Sequence, residues 1–318
     1  MTGIPLKDML DYLPPLRGKL TPNNNIGSRT WFRAGGNAEL LFQPLDQIDL
    51  ANFLQQRPPE VKINIIGVGS NILVRDGGIP GITIKLRRGF ADVSLQQDGE
   101  VVIVHAGSAA LDSTVAKVAA NNNLSGLEFL SGVPGTIGGA LKMNAGAYGR
   151  EMVDVVLWAT ALDEDGIERK LSLDELGFNY RHCSLPSNWV FISVALKTTK
   201  GDSKNISKLM NHISTSRQRD QPTQERTSGS TFKNPQGRKA WELIDAAGCR
   251  GLMIGDAKIS EHHCNFLINT RKATATDLED LGEQVRKRVK DNSGILLEWE
   301  IQRIGDRKEN TTIRMGHD

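Results

Sequence analysis

The 318-residue sequence is poor in cysteine, in aromatic residues and in long apolar runs. Its three cysteines, Cys183, Cys249 and Cys264, show no CxxC spacing, which argues against a zinc site or a disulfide framework and favours reduced thiols. No segment approaches the roughly 18 apolar residues of a membrane span, and the first residues lack the apolar run of a signal peptide. We therefore expect a globular, cytoplasmic protein that has no membrane partner.

An excess of charge of one sign is also lacking, since 39 basic and 37 acidic residues leave a net charge of +2. This balance predicts no nucleic-acid partner. One local exception lies between residues 217 and 233, where Arg217, Arg219, Arg226 and Lys233 outnumber the acidic residues. Such a cluster either faces an anionic ligand or forms a solvated surface, and the sequence leaves both possibilities open.

The dinucleotide fingerprint GxGxxG is missing, which argues against a Rossmann fold. Glycine is instead concentrated in the segment Gly67-x-Gly69-Ser70-Asn71 and in residues 129–148, a stretch without any acidic residue. Glycine accepts positive φ and lets a ligand approach the backbone, so unpaired N–H groups in such loops can hold phosphate oxygens. Either loop alone is equally well a simple turn. The two together predict a site for the diphosphate of a nucleotide cofactor.

The pattern of apolar and polar residues divides the chain into four parts and predicts an α+β fold. Short apolar strands and amphipathic helices follow a proline-containing N-terminal arm, and a Gly-Asp-Ser break near residue 201 separates a second, helix-rich region. The predicted limits are 1–22 for the arm, 23–200 for the first α+β region, 201–305 for the C-terminal region and 306–318 for a polar tail.

Three segments carry candidate chemistry. Glu298 and Glu300 lie two apart in an apolar run, residues 295–304, that predicts a strand, so their side chains should share one face. A carboxylate there needs a partner such as Arg181, unless both glutamates lie on an exposed edge. Ser230 lies in a glycine-containing loop, where it is either an acid or nucleophile or only a turn former.

The histidines do not indicate a metal site. His105 lies inside a predicted strand and is better explained as a core residue with a satisfied ring. His262 and His263 are adjacent, so in a strand they face opposite sides, and no clustered partner accompanies them.

Five motifs occur in one order along roughly residues 26–305, and together they resemble the UDP-N-acetylenolpyruvoylglucosamine reductase family. The motifs are Gly67-Val68-Gly69-Ser70-Asn71, Ser131 to Gly139 with Asn144 to Tyr148, Tyr180-Arg181, Gly229 to Pro235, and Leu297-Glu298-Trp299-Glu300. Five motifs in sequence are much more specific than any one of them.

The resemblance implies a flavoenzyme of peptidoglycan precursor synthesis. Its FAD-binding region would have the two subdomains of the vanillyl-alcohol oxidase (PCMH) type, about 23–86 and 87–200, and residues 201–305 would form the substrate domain. NADPH would reduce non-covalently bound FAD, which would pass hydride to UDP-N-acetylglucosamine enolpyruvate to give UDP-N-acetylmuramate. Cofactor contacts are expected from Gly67, Gly69, Ser70, Asn71, Ile72, Ser131, Pro134, Gly135, Thr136, Gly138, Gly139, Asn144 and Gly146.

The same resemblance assigns roles in the reaction. Ser230 would donate the proton, Arg181 would hold the substrate carboxylate, and Glu300, rather than Glu298, would assist polarisation or position the acid. Weaker expectations for substrate contact are Tyr180, Arg217, Lys233, Asn234 and His263. The interval from Tyr180 to Ile206 is short, so the chain looks like the form of the family without a tyrosine-bearing lid loop, and a monomer is expected.

Two other functions remain open from the sequence. An FAD oxidase of the same fold would act on alcohols with oxygen, but many such oxidases tether the flavin through His or Cys near the first glycine loop, and residues 63–76 contain neither. A regulatory nucleotide-binding protein would have no need for Ser230, Arg181 and Glu300 together.

Overall fold

The computed structural model describes residues 13–308; the first twelve residues of the predicted arm and the last ten of the predicted tail lie outside this range. The strands are β1 (Lys19–Asn24), β2 (Ala38–Gln43), β3 (Ile63–Ile65), β4 (Ile72–Val74), β5 (Ile79–Ile84), β6 (Val93–Asp98), β7 (Val101–Gly107), β8 (Leu124–Ser125), β9 (Gly146–Ala147), β10 (Arg150–Glu151), β11 (Val156–Leu162), β12 (Glu168–Leu171), β13 (Val190–Lys197), β14 (Thr199–Lys200), β15 (Met253–Ile254), β16 (Ala257–Ile259), β17 (Leu267–Asn269) and β18 (Gln302–Ile304). The α-helices are α1 (Gln47–Gln56), α2 (Asp112–Asn121), α3 (Ile137–Lys142), α4 (Leu173–Leu176), α5 (Ser203–Asp220), α6 (Ala240–Ala246) and α7 (Ala275–Ser293).

The first structural unit is a four-stranded sheet in the order β1-β2-β5-β3, in which β5 pairs parallel with both β2 and β3. Four of the six residues of β2, and five of the six of β5, are buried, as expected for strands covered on both faces. Helix α1 starts at Asp46, whose side chain accepts a hydrogen bond from the Asp49 N–H, and packs Leu50 and Phe53 onto this sheet.

The second unit is a five-stranded antiparallel sheet in the order β12-β11-β13-β7-β6. Helices α2 and α3 pack on it through apolar residues such as Val115 and Leu141, which share a core with Val104 and Val194 of the strands. The glycine-rich stretch, residues 129–148, contains α3, so the second sheet forms its support.

The C-terminal unit packs α6 and α7 against the small antiparallel sheet β15-β16-β17. Its core continues into the first unit, because Phe32 and Leu73 belong to the same buried cluster. The last strand, β18, leaves this unit and pairs parallel with β4, which directly follows the first glycine loop. The C-terminal unit is therefore joined to the first unit at the predicted cofactor site.

Helix α5 packs on the second unit rather than on the C-terminal one, since its main contacts are with residues 128–132 and α2. Ile213 of α5 also accepts a hydrogen bond from the Tyr148 hydroxyl through its carbonyl oxygen (3.0 Å). This packing favours a boundary after α5 instead of at residue 201.

Two local predictions were wrong, and the predicted polar tail proves to be ordered at its start. The arm does not extend to residue 22, because β1 begins at Lys19 and pairs with β2. Residues 295–304 do not form one strand: apart from a single bridge between Trp299 and Phe232, only β18 is regular. The tail begins as an ordered segment, since the Asp306 N–H donates to the Gly78 carbonyl oxygen (2.9 Å) and Arg307 pairs with the buried Glu279 (3.4 Å).

Candidate active site

The two glycine loops lie face to face. A Cβ atom built on Gly67 would lie 2.8 Å from Thr136 Oγ1, and one built on Gly135 would lie 3.5 Å from Ser70 Oγ. Gly69 has a φ of +75°, which side chains other than glycine rarely adopt. The structure thus brings the first and second loops together, as the sequence predicts.

The backbone of both loops is free to bind an anion. Among residues 13–308, no hydrogen-bond acceptor pairs with the N–H groups of residues 67–71, nor with those of Gly135 and Thr136. The hydroxyl of the neighbouring Ser108 is also buried without a partner. Buried or clustered N–H groups without acceptors are rare in native proteins. They fit the diphosphate of a cofactor such as FAD, which Gly67, Gly69, Ser70, Gly135 and Thr136 would hold.

Other residues expected at the cofactor have side chains or N–H groups committed to the protein. The Ser131 hydroxyl donates to the Glu128 carbonyl oxygen (2.7 Å), and the Gly138 N–H donates to the Ser108 carbonyl oxygen (2.8 Å). Asn71 Nδ2 donates to the Glu300 carbonyl oxygen (3.1 Å). The first glycine loop is therefore tied directly to the segment that carries the candidate glutamate.

Asn144 is the clearest departure from the expected cofactor contacts. It is 1% exposed, its Nδ2 donates to Glu151 Oε2 (2.9 Å) and to the Asn179 carbonyl oxygen (3.1 Å), and its Oδ1 accepts from the Val153 N–H (3.0 Å). An amide with its groups used in this way supports the local fold. The Gly-rich motif therefore includes a side chain whose hydrogen bonds are made within the protein.

Arg181 and Glu300 form an ion pair across the site. Arg181 Nε lies 3.0 Å from Glu300 Oε1, and the two side chains are only 19% and 17% exposed. Arg181 also contacts Glu151 Oε1 through Nη1 (3.3 Å) and donates to the Gly146 carbonyl oxygen through Nη2 (3.2 Å). Burial raises the pKa of Glu300, while the Arg181 charge opposes that rise. The pair provides a fixed cation next to a carboxyl group that is easily protonated.

Glu298 has a different environment. Its side chain is 76% exposed and lies 3.6 Å from Lys233 Nζ, whereas Glu300 points into the protein. The prediction that the two glutamates share one face was wrong, because no continuous strand forms there. The preference for Glu300 over Glu298 as the functional residue agrees with this difference in burial.

Ser230 lies beside the Glu300 segment in a loop with well-defined supports. Gly229 before it has a φ of +80°, and the Glu300 N–H donates to the carbonyl oxygen of Thr231 after it (2.9 Å). Asn265 fixes this loop, since its carbonyl oxygen accepts from Thr231 and its side chain exchanges two hydrogen bonds with the Phe232 backbone (3.0 and 2.9 Å). The Ser230 hydroxyl itself has no hydrogen-bond partner between residues 13 and 308. Sequence reasoning missed Asn265, because an isolated asparagine gives no local signal.

Of the weaker substrate candidates, Tyr180 and Lys233 lie at or near the rim of the site, whereas Asn234 and His263 contact other parts of the protein. Tyr180 is 45% exposed at the rim, and Lys233 pairs with Glu298 nearby. Asn234 Oδ1 accepts from the Ala240 N–H (2.9 Å) at the start of α6, a structural contact. His263 packs against Trp241 and Phe266, and burial lowers its pKa, so it is a neutral packing residue.

Arg217, the first residue of the basic cluster, has a buried guanidinium nitrogen. It lies one turn after Ile213 on α5, and its Nε is buried with no hydrogen-bond partner among the described residues. Burial lowers its pKa. Arg219, by contrast, pairs with Asp220 at the surface (2.7 Å). Of the basic cluster, Arg217 is therefore the residue suited to an anionic ligand.

The described residues give two further findings on the class of protein. None of the helices that residues 13–308 form is long and apolar enough to cross a bilayer. The same residues bring together no group of three or more His, Cys, Asp or Glu side chains that could hold a metal ion.

Comparison with known families agrees with the fold. Residues 38–172 match the family model of an FAD binding domain. The predicted fold class, a two-subdomain FAD-binding region of the vanillyl-alcohol oxidase type followed by an α+β domain, is confirmed. The fold and the site thus define an FAD-dependent oxidoreductase.

The particular family follows from the remaining matches. Residues 221–304 match the C-terminal domain of UDP-N-acetylenolpyruvoylglucosamine reductase. Reductases of that name from Parvibaculum lavamentivorans and Paramagnetospirillum magneticum are 54% and 52% identical, over 95% and 97% of this chain and 96% and 99% of theirs. A crystal structure of the Thermus caldophilus reductase has a TM-score of 0.77 at 32% identity, covering 92% of this chain and 100% of that one. The chain belongs to the UDP-N-acetylenolpyruvoylglucosamine reductase family.

Proposed function

We propose that this enzyme reduces UDP-N-acetylglucosamine enolpyruvate to UDP-N-acetylmuramate with electrons from NADPH, a step of peptidoglycan precursor synthesis in the cytoplasm. The observation that carries the proposal is the Arg181–Glu300 pair, which is tied through Asn71 to the first glycine loop and lies beside the Ser230 loop. We further propose residues 221–305 as the substrate domain, a NADPH site that is used transiently, and a monomeric enzyme without the tyrosine lid.

The reaction requires charge stabilisation and a proton. FAD, when bound by the two loops, supplies hydride to the methylene carbon of the substrate. Negative charge then develops on the α-carbon and the carboxylate, so a nearby guanidinium lowers the barrier. Arg181 is held for this role by Glu300, Glu151 and the Gly146 carbonyl oxygen. It would bind the carboxylate and oppose the developing charge.

The α-carbon must receive a proton to complete the reduction. We assign this step to Ser230, whose hydroxyl is free of protein hydrogen bonds in the described structure. Glu300 would assist by holding Arg181 and, in the neutral form that burial favours, by sharing its proton near the site. Arg217 would neutralise the phosphates of UDP, since its buried guanidinium has an unpaired Nε.

Separate measurement of the two half-reactions tests the proposal. We expect Ser230→Ala to accept electrons from NADPH at the wild-type rate and to be reoxidised by the sugar nucleotide about a hundredfold or more slowly. Thr227→Ser, which keeps the hydroxyl and removes a methyl group in the same segment, serves as a control and should leave both rates unchanged. Equal loss of both half-reactions in Ser230→Ala would make Ser230 structural. Reduction of the wild-type enzyme by an alcohol and its reoxidation by oxygen, but not by the sugar nucleotide, would favour an oxidase.

A further inference from the structure

Asp112, which the proposed mechanism does not use, is buried between the two glycine loops. It is the first residue of α2, it is 0% exposed, and its N–H donates to the Gly135 carbonyl oxygen (3.2 Å). Neither of its carboxyl oxygens has a hydrogen-bond partner among residues 13–308. A buried carboxyl group left in this state costs stability, so its presence calls for a reason.

The surroundings of Asp112 point to the cofactor site. A Cβ atom placed on Gly135 would lie 3.0 Å from Asp112 Oδ2 and 3.5 Å from Ser70 Oγ. A carboxyl oxygen and a free hydroxyl therefore converge on the small space over Gly135. This is the space where the unpaired N–H groups of the two loops also meet.

The usual role of an aspartate at a helix start does not account for Asp112. Such residues interact with the helix dipole, an effect of about 0.3–1 kcal/mol at exposed positions. Burial of the whole carboxyl group costs more than this contribution when no donor is present. A ligand that supplies the missing partner would explain the residue.

The environment of Asp112 favours the neutral form of its carboxyl group. Burial raises its pKa well above the ordinary value, and no neighbouring charge contributes to the shift. The charged groups on the surrounding elements have other partners or are exposed to solvent. Glu128 accepts a hydrogen bond from Ser125, Lys142 donates one to the Leu185 carbonyl oxygen, and Lys117 is exposed. Arg217 lies beyond the loop, near Tyr148. A neutral carboxyl group can donate a hydrogen bond, which an ionised one cannot.

We propose that Asp112 is a cofactor-binding residue: its carboxyl group, beside Ser70 in the space over Gly135, donates a hydrogen bond to an oxygen of the ribityl–diphosphate chain of bound FAD. This inference rests on FAD binding at the two loops, which is part of the proposed function. It predicts opposite effects on the protein with and without FAD, because the group costs stability until the cofactor provides its partner.

The test uses the full-length chain with Asp112→Leu, which keeps the number and branching of the side-chain heavy atoms and removes the hydrogen bond. A hydrogen bond to a charged group contributes about 1.5–3 kcal/mol, so FAD release, followed by the rise of free-flavin fluorescence, should be about ten- to a hundredfold faster than in the wild type. Unfolding of the FAD-free chain by urea should need as much denaturant as in the wild type, or more. Asp98→Asn, an exposed change in β6, is the matched control for both measurements.

The outcomes separate this inference from the proposed function. FAD release from Asp112→Leu at the wild-type rate would overturn the inference, as would faster release with an equally weakened FAD-free fold. If the leucine variant does not fold, the infrared difference spectrum on FAD binding decides. It should contain a protonated-carboxyl C=O band in the wild type that Asp112→Asn lacks, and absence of that band would also overturn the inference. Failure of the wild-type chain to bind FAD would instead refute the proposed function.

Discussion

Glu300→Gln is the change that isolates the proposed chemistry best. Glutamine keeps the shape of the side chain, so its Oε1 can still accept from Arg181 Nε across the present 3.0 Å. A hydrogen bond to a charged group contributes about 1.5–3 kcal/mol and a neutral one about 0.5–1.5, so the loss is about 1 kcal/mol. Arg181 keeps Glu151 and the Gly146 carbonyl oxygen. We expect the melting temperature to fall by about 1–2 °C, since the entropy of unfolding of a 318-residue chain is large.

The effect on the reaction should be much larger than the effect on stability. Reoxidation of the reduced enzyme by the sugar nucleotide should slow on the order of a hundredfold, because an acid–base group is lost. Reduction by NADPH should not change. Since burial raises the pKa of Glu300, its neutral form persists to higher pH than in an exposed glutamate. Reoxidation by the wild type should therefore fall as the pH rises through that pKa, and the variant should lack this dependence.

Glu298→Gln is the matched control, two residues away. Its side chain is 76% exposed and its pair with Lys233 at 3.6 Å is weak, so stability should change by no more than about 0.5 kcal/mol. The Lys233 N–H is held by the Glu298 carbonyl oxygen, which the change leaves in place. Stopped-flow absorbance of the flavin measures both half-reactions. The reasoning about Glu300 is refuted if the two variants behave alike, or if Glu300→Gln slows both half-reactions equally.

Two further changes test the supports of the site. Glu151→Gln weakens the second carboxylate contact of Arg181 (3.3 Å) and should raise the KM for the sugar nucleotide several-fold with FAD retained; loss of FAD instead would place Glu151 at the cofactor. Arg217→Met should raise that KM about tenfold, from one lost charged contact, and should not lower the urea midpoint, because it removes a buried unpartnered Nε. An unchanged KM would remove Arg217 from the phosphate site.

Glycine motifs made the cofactor site visible in the sequence. Glycine is needed at positions 67 and 135 because the loops approach each other closely. This need is visible in the sequence as a local concentration of glycine. The family resemblance placed Asn144 among the cofactor contacts, and in the structure its amide contacts Glu151, which in turn contacts Arg181. A motif marks a segment, and the direction of each side chain depends on contacts from distant parts of the chain.

The candidate acid–base residues were predictable only in part. The pair of Arg181 and Glu300 joins positions 119 residues apart. The sequence left open whether the glutamate pairs with Arg181 or lies on an exposed edge. The predicted strand over residues 295–304 was wrong in its length: only residues 302–304 join a ladder, and the residues before them are held by individual contacts such as those to Thr231 and Asn71. An apolar pattern indicates burial there, but it does not distinguish a strand from an extended loop.

Nothing in the sequence indicated Asp112, and Arg217 was named only as one of several weak candidates, for a common physical reason. Among the described residues, neither the Asp112 carboxyl group nor the Arg217 Nε has a hydrogen-bond partner, and this is what makes the two residues stand out. A missing contact has no sequence pattern. Both side chains are costly for the protein alone, because burial disfavours the charged form of each. A bound anion would stabilise the arginine, and an acceptor oxygen would satisfy the neutral aspartic acid. Selection for stability alone would favour apolar residues at both positions, so their presence argues for two ligand contacts, one on each side of the second glycine loop.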